Sequence, residues 1–129
     1  PGGVARGAYV LSDSAGDPEV ILVGSGSEVS LLLAAKETLG DGARVVSMPC
    51  DRLFFEQDEA YRESVLPSSV RARVAAEAAS PLGWGRVVGL DGEVVGIDRF
   101  GTSAPGSEAL DDLGITVEAV VKAARRVTG

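Results

Sequence analysis

Histidine and asparagine are both absent from the 129 residues. Without histidine there is no Ser-His or Cys-His nucleophile pair, no imidazole general base and no His-bearing zinc site. Cysteine occurs once, as Cys50, so no internal disulfide can form, which fits a reducing cytoplasm. A catalytic thiol there would need an activating base, and no imidazole exists to supply one; Cys50 reads as a structural thiol. Aromatic residues make up 5% of the chain, so the core must be built from Val, Leu, Ala and Ile. Basic side chains are outnumbered 12 to 19, and the net charge of −7 argues against nucleic acid and anionic membrane surfaces as partners, because both need a positive footprint. No apolar run approaches the roughly 20 residues of a membrane span, and no charged-then-apolar signal segment opens the chain.

What remains is a hydrophobic share of 45%, enough for one domain of ordinary size to bury a core. Residues 1–7 read as a linker or terminus, and residues 8–129 as a single domain. The chain starts at Pro1 without an initiator Met, so it is expected to be a piece of something longer.

Ala8–Ser12 is a short strand candidate. The near-continuous apolar run in Glu19–Val23 predicts a strand buried on both faces, as in a parallel sheet. A helix follows through about Leu39, with Ser25 and Glu28 spaced as a capping box and Gly40 placed to stop it. Ala43–Ser47 completes a βαβ unit. Asp51–Gln57 and Asp58–Val65 read as short helices, the second stopped by Pro67. Arg71–Ala76 is a strand candidate that its alanines leave ambiguous with helix. Pro81–Val87 reads as a short helix or irregular turn, Glu93–Ile97 as a strand and Ser107–Leu113 as a short helix. The last helix is the clearest: Val117, Val120, Val121 and Ala124 form an apolar stripe, Thr116 caps it, and Ile115 with Val120 are spaced as a hydrophobic staple.

About five strands alternating with five helices predict an α/β fold: a three-layer α/β/α sandwich around a mostly parallel sheet. The turn between the first two strands is too short for a crossover. If those two pair, they are antiparallel, which gives the sheet one antiparallel edge strand.

Three motifs invite functional readings. Gly24-Ser25-Gly26-Ser27 follows a strand and opens a helix, as a dinucleotide fingerprint would, but Val29 stands where its third glycine belongs. Gly24, Ser25, Gly26 and Ser27 are therefore kept as a candidate anion site at a helix amino terminus, beside the plainer reading of a capped helix. Gly40-Asp41-Gly42 opens like the thiamine diphosphate motif, yet no asparagine exists downstream to complete it. The acidic runs at Glu56–Glu59 and Asp111-Asp112 read as solvated helical faces. Trp84, between two glycines, reads as a packing anchor, with a domain or subunit boundary as the alternative. Arg99–Gly106 follows a strand's end and reads as a shaped loop or interface without a group suited to proton transfer.

Several segments, taken in order, strongly resemble the C-terminal domain of transketolase. They are Gly7–Leu11, Gly24–Glu28, Arg44–Cys50, Leu53-Phe54 with Gln57, Tyr61–Pro67, Val88–Gly92, Val95–Asp98, Phe100–Pro105 and Gly114–Thr116. Each alone is weak; the ordered set covers essentially the whole chain. The Ser47–Cys50 and Tyr61–Pro67 motifs favour this family over related thiamine enzymes. The resemblance implies the third domain of a homodimeric, cytoplasmic enzyme that moves two-carbon ketol units between sugar phosphates. Thiamine diphosphate and a divalent metal, magnesium or calcium, would then be held by the other two domains, and no cofactor by this one. No catalytic, cofactor or metal residue carries over onto this sequence. The competing expectation is a regulatory anion- or nucleotide-binding domain of a related thiamine-dependent enzyme.

Overall fold

The computed structural model describes residues 6–26, 28–77, 84–96 and 116–128. Their elements are β1 (Tyr9–Ser12), β2 (Val20–Gly24), α1 (Glu28–Leu39), β3 (Ala43–Ser47), α2 (Asp51–Phe55), α3 (Glu59–Val65), β4 (Arg73–Glu77), α4 (Gly85–Val88), β5 (Glu93–Gly96) and α5 (Val117–Thr128). The strands form one sheet in the order β1-β3-β2-β4-β5. Every neighbouring pair is parallel except β1 with β3.

The pleat explains the layers. Along β2, Val20 and Leu22 face one side of the sheet while Ile21 and Val23 face the other. The first side packs with Val45 and Val74 against Leu32 and Ala35 of α1 and Val120 and Ala124 of α5. The second packs with Val46 against Phe54 of α2, Val65 of α3 and Val87 of α4. The result is the expected α/β/α sandwich.

One detail differs from expectation: β1 pairs with β3 and not with β2, its neighbour in sequence. The physical reason lies in β2, whose five residues are all buried and whose two backbone edges are taken by β3 and β4. The most apolar strand takes the centre, which leaves β1 the outer edge of β3. From β2 the chain moves one way along the sheet through α1 to β3. From β3 it moves the other way, past β2 to β4, with α2 and α3 on the opposite face. Reversing direction and face together is what crossovers of one hand require.

Local chemistry sets most boundaries. Gly40 ends α1 at φ 93°, its N–H bonded to the Lys36 carbonyl at 2.7 Å. Asp58 is extended and accepts the Tyr61 N–H at 2.9 Å, capping α3; α2 therefore stops at Phe55, short of Gln57. Thr116 caps α5 by accepting the Ala119 N–H at 3.0 Å. The alanines of β4 are strand, running Arg73–Glu77, because its parallel partners on both edges override the helix propensity of alanine.

The capping box at the start of α1 does not form. Gly26 has φ 60°, which is left-handed and cannot belong to a first helical turn, so the helix begins at Glu28 and the Glu28 N–H meets the Ser25 backbone carbonyl at 3.3 Å. The Ser107–Leu113 helix, the Arg99–Gly106 loop, the Ile115 staple and Asp111-Asp112 lie outside the described residues.

Candidate functional site

In an open α/β sheet ligands sit beyond the carboxyl ends of the strands, where the order reverses. Here that place lies beside β2 and β4. The β2 side is the turn Gly24-Ser25-Gly26; Ser27 lies outside the described residues, as do residues 78–83 that follow β4. The structure thus brings Gly24, Ser25 and Gly26 together in one tight turn at the amino end of α1.

Gly24 is there for packing. A Cβ on it would stand 2.9 Å from Leu32 Cδ1 and 3.3 Å from the Ala76 carbonyl oxygen, so glycine lets α1 lie close against the sheet. Its own carbonyl accepts the Met48 N–H at 2.8 Å. Glu28 is buried at the first position of α1, and its carboxylate lies beside Gly26, with Oε2 3.9 Å from where a Cβ there would be. The positive end of the α1 dipole therefore already faces a carboxylate of the chain itself.

The neighbouring loops are tied to one another. The Cys50 N–H donates to the Gly7 carbonyl at 3.0 Å, and Tyr61 Oη donates to the Ala8 carbonyl at 2.6 Å. Phe54 meets both Phe55 and Tyr61 edge to face, with centroids 5.2 and 6.2 Å away. Arg86 joins α4 to α2, pairing with Asp51 at 3.3 Å and lying 4.4 Å from the Phe55 ring centroid. Four of the sequence segments that carry the family resemblance, those around Gly7, Gly24, Cys50 and Tyr61, meet here by hydrogen bonding to each other. Cys50 is half-buried and precedes α2 in extended conformation, with no side-chain bond to the helix start. Trp84 is half-buried against the Phe54 cluster, as a packing anchor should be.

Two half-buried arginines were not anticipated. Arg44, on β3, donates to the Ser64 and Val65 carbonyls at 3.2 and 3.1 Å and pairs with Asp13 at 2.8 Å. Arg73, on β4, donates to the carbonyls of Leu66, Pro67, Val70 and Val87. The available signal was a lone arginine inside an otherwise apolar strand pattern, since such a residue must find acceptors on folding.

Among the described residues, the Gly-Asp-Gly turn and its surroundings do not fit thiamine diphosphate. Gly40-Asp41-Gly42 forms the turn from α1 to β3 at the amino end of the sheet, and its three carbonyls accept from Ala43, Ala15 and Glu19. The adjoining groove of about 340 Å³ carries one lysine, Lys36, against Glu37 and Asp41. No three His, Cys, Asp or Glu side chains among the described residues could hold a metal ion. The acidic run at Glu56–Glu59 has local duties: Glu56 faces Arg52 at 3.7 Å and Asp58 caps α3.

One mostly parallel sheet between two helical layers makes this an α/β/α domain. Residues 7–116 match the family model of the transketolase-like C-terminal domain. The chain belongs to the transketolase family, as its C-terminal domain. It is 53% identical to the chloroplastic transketolase of Craterostigma plantagineum, with 97% of this chain and 25% of that protein covered. To the transketolase of Physarum polycephalum it is 50% identical, with 95% and 18% covered. The solved transketolase of Leishmania mexicana superposes with a TM-score of 0.87 at 41% identity, over 98% of this chain and 18% of that one. The chain thus spans a quarter or less of the length of these relatives. Among the described residues no helix is long and apolar enough to cross a membrane.

Proposed function

We propose that this chain is the structural C-terminal domain of a transketolase, one domain whose parent enzyme transfers two-carbon ketol units between sugar phosphates in the pentose phosphate pathway. In this reading thiamine diphosphate and its divalent metal belong to the parent's other domains. The parent is a cytoplasmic homodimer, and this domain's partners are those sister domains. The observation that carries the reading is the mutual engagement of the Gly7, Gly24, Cys50 and Tyr61 segments: residues that carry the family resemblance here bond to one another and hold the fold together. The alternative of a regulatory anion or nucleotide site at Gly24–Ser27 has only a helix amino terminus and an incomplete glycine pattern behind it, since Val29 stands where the third glycine belongs.

Isothermal calorimetry of this chain with thiamine diphosphate and magnesium tests the reading. Silence is expected up to millimolar cofactor, together with no ketol transfer by the chain alone. Binding at micromolar concentration would overturn it.

A further inference from the structure

The segment that leads into β1 is fastened differently from the rest of the sheet. β1 has one strand neighbour, and its register slips between Val10 and Ser12, which leaves Leu11 as an exposed extra residue. Against that short edge, Arg6–Ala8 is held by groups from the β3–β4 connection. Tyr61 Oη donates to the Ala8 carbonyl, the Cys50 N–H donates to the Gly7 carbonyl, and the Arg6 guanidinium carbon lies 4.8 Å from the Tyr61 ring centroid. Gly7 sits at φ 92°, and a Cβ there would be 2.3 Å from the Cys50 carbonyl oxygen and 2.4 Å from the Phe54 nitrogen. Only glycine can seat.

We propose that Arg6–Ser12 is a latch, a segment that opens and closes as a unit on a sheet that stays closed, with Tyr61 as its catch. Seated, it fixes the direction in which the polypeptide runs into the domain; that last consequence rests on the reading of the chain as one domain of a larger enzyme, and the latch itself does not. The fold allows independent opening because, among the described residues, β1 pairs with β3 alone, while β3 keeps β2 on its other edge. Each fastening group also lies outside the β2–β4 centre. Tyr61 is a positioning residue in this device, since it acts by holding the strap in place.

Two readouts on this chain test the latch. Trypsin can cut after Arg6 only when several residues on either side are extended, so cleavage there reports opening. The Cys50 amide, bonded to Gly7, reports the same event by hydrogen exchange, and the Ile21 amide, bonded to Ala72 at 2.9 Å in the sheet centre, reports global unfolding. Tyr61→Phe keeps the ring and removes one hydrogen bond; it should speed both Arg6 cleavage and Cys50 exchange by about 3- to 10-fold. Ile21 exchange should stay unchanged. Gly7→Ala, which cannot seat, should give the fastest cleavage. Equal acceleration at Cys50 and Ile21, or no acceleration at either, would overturn the latch. Cofactor binding in the calorimeter would overturn the functional reading and leave these rates as they are.

Discussion

Arg73 and Val87 are fourteen residues apart in the chain, and the Arg73 guanidinium donates to the Val87 carbonyl at 2.9 Å. The same side chain reaches Pro67 and Val70 at 2.9 and 3.0 Å and Leu66 at 3.3 Å. It therefore gathers the carboxyl ends of α3 and α4 with the turn between α3 and β4. Helix ends leave carbonyls without intrahelical partners, and a cation is the favoured group to meet them. Burial pulls the Arg73 basicity below its usual value, with Glu63 acting in the opposite direction, yet an arginine stays charged across the whole folding range.

Removing that guanidinium leaves several half-buried carbonyls unmet. Arg73→Met should lower the unfolding free energy by roughly 2–4 kcal/mol, read as a shift of the urea midpoint without a change of slope. Arg73→Lys keeps the charge but loses the planar fork, so its loss should fall between that of Met and zero. Equal stability of the Met variant and the parent would show that water replaces the guanidinium without cost.

Gly24 and Gly40 are glycines for different reasons, and substitution should separate them. At Gly24 the obstacle is space, because Leu32 Cδ1 and the Ala76 oxygen crowd the Cβ position. Gly24→Ala should force α1 outward by a few tenths of an ångström, cost about 1–3 kcal/mol and shift the methyl resonances of Leu32 and Val74 across the core. At Gly40 the Cβ position is open and the obstacle is φ 93° alone. Gly40→Ala should cost about 1–2 kcal/mol with perturbation confined to the turn. Unmoved core methyls in the Gly24 variant would refute the distinction.

How much of this was legible in the sequence follows from the range of the interactions involved. The Val20–Val23 run announced a buried parallel strand because burial on both faces leaves no alternation, and the stripe from Val117 to Ala124 announced α5 because its period is local. Gly40 and Thr116 were readable for the same reason, each acting within one turn. The partner of β1 was not readable, since strand choice depends on which edges the other strands leave free. Nor was the failure of the capping box, because S-x-x-E spacing cannot reveal that Gly26 is left-handed. At the candidate site the Gly24–Ser27 segment stands out by motif, but the groups around Gly24 come from distant segments: the Met48 N–H meets its carbonyl and the Ala76 oxygen crowds its Cβ position. Such pairings carry no local periodic signal.

The Arg44–Asp13 pair gives stability a pH dependence whose sign can be worked out. The side-chain hydrogen bond from Arg44 is the main cause that holds the Asp13 carboxyl below its usual value; the Ser14 N–H and hydroxyl add to it, and partial burial opposes. A carboxyl whose folded pKa is depressed contributes stability that is fully present above its unfolded pKa, roughly pH 4, and lost as pH falls through the folded value. Asp13 is about half exposed, with 55% of its side chain open to solvent, so screening limits the contribution to about 0.5 kcal/mol or less. Asp13→Asn should therefore be slightly less stable than the parent at pH 7 and nearly equal to it at pH 2.5, as measured by urea midpoints. Adding 1 M salt at pH 7 should shrink the difference, because the Debye length then falls to about 3 Å. A gap between the two proteins that widens on acidification would mean that the carboxylate opposes folding, and that Arg44 is held in place by the Ser64 and Val65 carbonyls alone.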